Sequence, residues 1–208
     1  MIETPLSTTV SKDNKTQLLE KHPLQNSWTF WFYKHEKATH DWEDGVKEIT
    51  SFDTVEDFWA IYNHIEQPSK LHYKCDYNIF KPGIKPIWED KRNMSGGHWV
   101  LEINRYDDSL VDEYWLNILL LMIGEGFDEL GDMINGCVIQ MRGKNKKISL
   151  WANDASDDKS IMIIGRRIRE KLNLPSEVKM NFRAHRDQYA AAISNENRFR
   201  TEQFLFSC

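Results

Sequence analysis

An α+β fold built on an antiparallel sheet is predicted by three features of the chain. Short runs of aromatic and β-branched residues recur along it, and three longer stretches repeat apolar residues at helical spacing. Strands and helices do not alternate in the βαβ rhythm of a parallel sheet. A length of 208 residues suits a single domain with a sizeable core, and 40% hydrophobic with 28% charged residues is an ordinary globular balance.

Residues 1–20 are polar and lack hydrophobic period, which predicts a flexible tail ahead of one domain over 21–208. Trp28–Tyr33 (Trp-Thr-Phe-Trp-Phe-Tyr) reads as a strand, and the polar stretch Lys34–Gly45 as a loop carrying one large ring, Trp42. Ser51-Phe52-Asp53 leads into a helix start in which Thr54 and Asp57 are spaced to cap each other, with Val55, Phe58, Trp59 and Tyr62 at helical spacing to about Ile65. Lys81-Pro82-Gly83 and Lys85-Pro86 break regular structure, so Trp88-Glu89-Asp90 falls in a second loop before a strand from Trp99 to Ile103. Tyr114, Trp115, Ile118, Leu119 and Met122 predict a helix over Asp112–Gly124. Val138–Met141 and Ile148–Ala152 read as strands joined by a basic hairpin that turns near Asn145. A third helix is predicted from Ser156 to Leu172 and a strand from Val178 to Arg183, while 185–208 is ambiguous.

Several function classes are excluded by what is missing. Gly124-Glu125-Gly126 lacks the third glycine of a dinucleotide fingerprint, and neither a phosphate-loop lysine motif nor His-Glu-x-x-His nor Cys-x-x-Cys occurs. No enzyme activity and no cofactor or metal are expected. Cys75, Cys137 and Cys208 are far apart and odd in number, which predicts reduced thiols. The longest apolar run, Ile118–Ile123, is far below the roughly 20 residues of a membrane span. With no apolar leader, the cytoplasm is the expected location, with nuclear or RNA-granule residence as variants. A net charge of −5 rules out global affinity for a phosphate backbone, so any nucleic-acid contact must be local.

The distinctive feature is aromatic: eight Trp, seven Tyr and ten Phe, with Trp42 and Trp88 in polar, breaker-flanked segments where no core awaits them. Trp28, Trp31, Trp99 and Trp151 lie in strand-like runs and read as core or sheet-face residues. A guanine methylated at N7 is cationic, so an indole on each face gains about 1–3 kcal/mol of stacking and up to ~2 kcal/mol of cation–π energy. Glu89 can accept from both donors of the guanine edge, and Arg142, Lys144 and Lys147 on one hairpin can neutralise a phosphate bridge. Taken singly, each feature has an ordinary reading: loop tryptophans usually pack, Lys-rich hairpins are usually solvated turns, and Val55 with Trp59 is usually core. A tryptophan-lined carbohydrate-binding module remains open on these grounds.

Longer motifs narrow the choice. His22-Pro23-Leu24-Gln25-Asn26-Ser27-Trp28, Ser51-Phe52-Asp53-Thr54-Val55-Glu56-Asp57-Phe58-Trp59, Pro86-Ile87-Trp88-Glu89-Asp90, Gly96-Gly97-His98-Trp99 and Val138-Ile139-Gln140-Met141-Arg142 resemble, in order and spacing, the eukaryotic cap-binding translation initiation factors of the four-E class. The resemblance covers about residues 22–185. It implies a strongly curved antiparallel sheet of about eight strands with three helices on its convex face. It also implies that Trp42 and Trp88 sandwich the 7-methylguanosine 5′ cap of messenger RNA, Glu89 reads the guanine edge, Trp151 touches the added methyl, and Arg142 with Lys147 hold the phosphates. Lys144 is the weaker phosphate candidate.

The resemblance further implies a dorsal surface for the initiation scaffold and competing repressors, which carry a Tyr-x-x-x-x-Leu-hydrophobic motif. Here it comprises His22, Pro23, Leu24, Val55, Trp59, Leu116, Leu120 and Gly124, with Asn117 beside them, and a monomer is expected. Two positions depart from the pattern. His98 stands where the family commonly has an arginine that helps hold the phosphate bridge, so weaker phosphate contact is expected, partly restored by protonation near pH 6. Asn117 replaces a common acidic residue. These departures keep open a divergent paralogue that binds cap but engages the scaffold poorly, acting as a tissue-restricted translational regulator. The family's C-terminal regulatory serine cannot be transferred to Ser194.

Overall fold

Eight strands form one antiparallel sheet in the computed structural model, which describes residues 20–35, 45–103, 108–142, 145–186 and 206–207. They are β1 (Pro23–Lys34), β2 (Val46–Thr54), β3 (Cys75–Phe80), β4 (Gly97–Ile103), β5 (Ile134–Arg142), β6 (Asn145–Ala152), β7 (Met180–Ala184) and β8 (Phe206–Ser207), in the spatial order β2-β1-β3-β5-β6-β4-β7-β8. Three α-helices, α1 (Val55–Tyr62), α2 (Asp108–Ile123) and α3 (Asp158–Lys171), cover the convex face of this curved sheet. The architecture is the one the family resemblance implies. Residues 1–19, where most of the expected tail falls, lie outside the described residues.

Period-two alternation sorts the strand side chains onto two faces. Trp28 and Phe30 on β1, Tyr77 and Ile79 on β3, Cys137, Ile139 and Met141 on β5, Ile148 and Leu150 on β6, and Trp99 and Leu101 on β4 point to the helices and join one buried cluster. Val111, Trp115, Ile118 and Leu119 of α2 and Ile161, Ile164 and Ile168 of α3 fill it from the other side. Contact between α3 and β4 depends on Gly165, where an added Cβ would lie 2.4 Å from the Trp99 ring. The Trp99 indole N–H donates to the Ile161 carbonyl at 3.0 Å. Trp28 and Trp99 are therefore core, while Trp31 and Trp151 sit half-buried on the opposite face.

Helix boundaries follow local chemistry. The expected reciprocal cap opens α1: Asp57 N donates to Thr54 Oγ1 at 3.2 Å, and the Thr54 hydroxyl donates to the Asp57 carboxylate at 2.6 Å. Asp157 caps α3 by accepting from Ser160 N at 3.1 Å. α2 begins one turn before the predicted Asp112. Two strands differ from expectation. β2 occupies a stretch read partly as loop and partly as a helix approach; it is an edge strand in which only Phe52 is buried, so it carries almost no alternation. β3, unread in the sequence, is buried at every position and shows the complementary lack of pattern. β8 pairs with β7 inside the segment read as ambiguous. Cys75 and Cys137 are buried free thiols, and Cys208 lies outside the described residues.

Candidate functional site

Three cross-strand rows build the face away from the helices. Asp76, Gln140, Lys147 and Glu102 form one row, and Trp31, Asn78, Val138, Ser149 and Val100 the next. Phe80, Gly136, Trp151, His98 and Arg183 form the third. Gly136 is the gap in that third row: a Cβ there would lie 2.5 Å from the Phe80 ring. Its absence lets Phe80 reach Trp151 edge-on, with centroids 5.4 Å apart at 80°.

Over this floor hangs the loop between β3 and β4, held by its own polar groups. Asp90 accepts from the Lys85 and Arg92 backbone N–H groups at 3.0 and 2.9 Å. The fully buried Asn93 amide donates to the Lys85 and Ile87 carbonyls at 2.9 and 2.7 Å, and Asn135 on β5 donates to the Asn93 side-chain oxygen at 2.9 Å. With both flanks tied down, Trp88 and Glu89 project from the loop, the ring half-buried and the carboxylate exposed.

Loop and floor enclose a cavity of about 440 Å³ lined by Pro86, Trp88, Glu89, His98, Gln140 and Trp151 among others. Four expected site residues, Trp88, Glu89, Trp151 and His98, are thus brought together. Also in the lining are Gln140, missed because it looks like an ordinary polar residue in a strand, and Asn78, missed because β3 was not read as a strand. Asn78 is 1% exposed, and neither its amide nitrogen nor its oxygen has a partner. Trp42 and Lys144 lie outside the described residues.

The expected phosphate-binding cations gather at the other end of the same face, and both are already engaged. Arg142 makes a two-pronged contact with Asp76, whose second oxygen accepts at 2.7 Å, while the guanidinium carbon lies 5.9 Å from the Tyr33 ring centroid. Asp76 is wholly buried, and burial raises its carboxyl pKa despite the opposing bonds from Arg142 and Gln140. Lys147 pairs with Glu102 at 2.9 Å, and Glu102 also meets Arg183 at 3.7 Å. Asp76 was invisible in the sequence because β3 was not read as a strand.

One expectation about the site is overturned. Protonation of His98 near pH 6 does not fit its surroundings: burial first, then His185, Arg183 and Lys147, push its pKa well below the ordinary 6.5. The ring is stacked on Trp151, 5.5 Å between centroids at 21°. Its Nδ1 lies 2.9 Å from His185 Nε2, and His185 Nδ1 lies 2.8 Å from the Asn93 carbonyl.

On the opposite face, the expected dorsal residues fall into two groups. The His22 carbonyl accepts from Val55 N at 2.9 Å and Pro23 pairs with Thr54, so His22, Pro23 and Leu24 run beside the start of α1. Glu56 and Asp57 fasten that approach by bonds to His22 Nδ1 at 2.7 Å and Lys21 Nζ at 2.6 Å. Val55 is exposed, and Trp59 is half-buried with its ring edge-on to Phe58 and Tyr62. The second group, Leu116, Asn117 and Leu120, is half-buried on α2, with Gly124 exposed just beyond its end. Because the inward side of α2 is already apolar, Leu116 and Leu120 extend hydrophobic surface outward.

A curved sheet with an aromatic and carboxylate cavity at one end of its open face and paired cations at the other defines a binding module for flat, charged ligands. The chain belongs to the eukaryotic initiation factor 4E family, whose sequence profile matches residues 23–199. It is 45% identical over 181 residues to eukaryotic translation initiation factor 4E of Aplysia californica, an alignment covering 86% of this chain and 84% of that protein. Among solved structures it is similar to initiation factor 4E-3 of C. elegans in complex with the 4E-binding protein Mextli and a cap analogue. That likeness has a TM-score of 0.79 at 43% identity and covers 82% of this chain and 96% of the other. Initiation factor 4E-3 of Ascaris suum in complex with an m2,2,7G cap matches with a TM-score of 0.81 at 36% identity, covering 90% and 98%. The carbohydrate-module alternative falls away with this membership.

Proposed function

We propose that this chain binds the 7-methylguanosine cap of messenger RNA and recruits the initiation scaffold to start cap-dependent translation. The observation that carries the reading is the adjacency of Trp88 and Glu89 on one braced loop, where both line the cavity that Trp151 also lines. Trp88 takes one face of the methylated guanine and Trp42 the other, where the positive charge created by methylation strengthens stacking. Glu89 accepts from the ring N1–H and the exocyclic amine, a donor pair that adenine lacks. Trp151 meets the N7 methyl. Arg142, held by Asp76, and Lys147, with Lys144 in support, take the phosphates.

Recognition of this kind needs stacking, hydrogen bonding and charge neutralisation, not a covalent step, so the protein acts by binding and not by turnover. Leu24, Val55, Trp59, Leu116 and Leu120 receive the apolar face of a helical peptide with the Tyr-x-x-x-x-Leu-hydrophobic pattern, carried by scaffold and repressor alike. The protein works as a monomer in the cytoplasm. Intrinsic fluorescence tests the cap reading. Quenching by 7-methylguanosine triphosphate is expected to be strong, and at least roughly ten-fold weaker in affinity for unmethylated guanosine triphosphate. Trp88→Ala and Glu89→Ala each remove tight binding while leaving the far-UV spectrum unchanged. Equal affinity for the two nucleotides would refute the reading.

A further inference from the structure

The hydrogen-bond chain behind His98 fixes which of its nitrogens carries a proton. The Asn93 carbonyl can only accept, so His185 Nδ1 must donate across their 2.8 Å contact. A neutral imidazole has one N–H, so His185 Nε2 is then a bare acceptor. His185 is 2% exposed, and burial holds its pKa down at about 4, which keeps it neutral at physiological pH. The 2.9 Å contact therefore has His98 Nδ1 donating to His185 Nε2. That leaves His98 Nε2 unprotonated, with no hydrogen-bond partner among the described residues, on a ring that lines the cavity.

We infer that His98 is a fixed hydrogen-bond acceptor in the ligand cavity, locked in its Nδ1–H tautomer by His185 and selecting a donor on the ligand. The inference rests on the cap-binding reading and deepens it. A lone pair cannot face a phosphate oxygen directly, because both are acceptors. It meets a ligand hydroxyl or amine, or a water that donates one proton to Nε2 and the other to the anion. An arginine at the same position would offer donors and a full charge. This chain therefore draws its affinity more from the base and less from the phosphates than one with arginine there. His185 is the positioning residue, and its anchor on Asn93 ties the tautomer to the loop that carries Trp88 and Glu89, since the Asn93 side chain also holds the Ile87 carbonyl at 2.7 Å.

Two measurements test this. Long-range 15N–1H correlation spectra of the ligand-free protein near neutral pH are expected to show His98 protonated at Nδ1 and bare at Nε2. In His185→Phe, which removes the acceptor, His98 is expected to shift toward the Nε2–H tautomer, a change that loss of packing alone does not produce. Calorimetry with 7-methylguanosine mono-, di- and triphosphate then reads the ligand side. The affinity gained from mono- to triphosphate is expected to be roughly ten-fold larger in His98→Arg than in the parent, the ratio a charge-assisted hydrogen bond confers. An Nε2–H tautomer or an imidazolium in the parent protein overturns the inference even if the arginine variant fails to fold. Equal phosphate gains in both proteins, with binding intact, overturn it while leaving the cap reading in place. Failure of all three nucleotides to bind the parent would refute that reading, and His98's part in it, whatever the tautomer.

Discussion

The two faces of one sheet differ in how completely they are satisfied. The helix-covered face is a cluster of large apolar side chains in which, among the described residues, the indole N–H groups of Trp28 and Trp115 lack partners. Opposite, the same strands hold Asp76 buried with its pKa raised, His98 with its pKa depressed and Asn78 with neither amide atom partnered, and His185, just beyond β7, also has a depressed pKa. Burying polar groups incompletely is costly, and such costs concentrate where a ligand completes the network. The helical face supplies the stability that lets the open face keep polar groups in conformations suited to binding.

The sharpest way to break the comparison is at the Arg142–Asp76 pair. Arg142→Ala strands a carboxylate that is 0% exposed, whereas Asp76→Ala leaves a guanidinium whose side chain is 30% exposed and can reach water. Removing one partner from a buried pair costs about 3–5 kcal/mol. Arg142→Ala is expected near ~3 kcal/mol, limited by protonation of the already reluctant Asp76 acid, and Asp76→Ala at less. Urea unfolding at neutral pH measures both. Equal, negligible losses would show that the open face carries no such burden.

Acid offers a gentler test. The unfolded chain binds a proton at His185 near its ordinary 6.5, while the folded chain resists until about 4. Stability is therefore level above pH 6.5 and falls as pH drops through that window, by up to about 3 kcal/mol from this residue at the conversion of 1.36 kcal/mol per unit. The buried imidazole of His98 adds to the slope in the same direction, and His185→Phe should flatten it. Cap affinity, by contrast, should show no His98-linked step between pH 6 and 8, because burial first, and then His185, Arg183 and Lys147, push its pKa well below the ordinary 6.5.

The faces should also respond independently. Trp59→Ala removes a half-buried ring that packs on Phe58 and Tyr62. A central aromatic of this kind is worth about 2 kcal/mol to a peptide partner. Peptide affinity should fall by at least roughly ten-fold with cap affinity unchanged. A parallel loss of cap binding would mean that the sheet transmits the change and the two surfaces are one cooperative unit.

What was legible in the sequence follows from the same asymmetry. Residues that announce themselves by type, such as Trp88 beside Glu89 between breakers, or the helical repeat through Tyr114, Trp115 and Ile118, were readable and stand where expected. Partners fixed only by strand register were not. Asp76 and Asn78 sit in a strand whose six residues are all buried, so no alternation marks it. His185, 87 residues from His98, becomes its neighbour only because β7 pairs with β4. The pH response expected of His98 failed because a histidine's pKa is set first by its burial and then by neighbours such as His185, and the linear sequence reveals neither.

The smallest effect lies on the rim of the dorsal stripe. Asn117 is half-buried on α2 between Leu116 and the next turn. Asn117→Glu should leave stability and cap affinity unchanged and strengthen a peptide carrying a basic residue beside its Tyr-x-x-x-x-Leu motif by about 0–1 kcal/mol, as befits a charge pair at a solvent-accessible rim. A gain of that size should shrink at high salt, where surface pairs are screened, while the apolar contribution of Trp59 does not. Titrations of one peptide against both proteins at low and high ionic strength separate the two. No gain at low salt would remove charge at position 117 as a determinant of partner choice and leave the apolar stripe to set it alone.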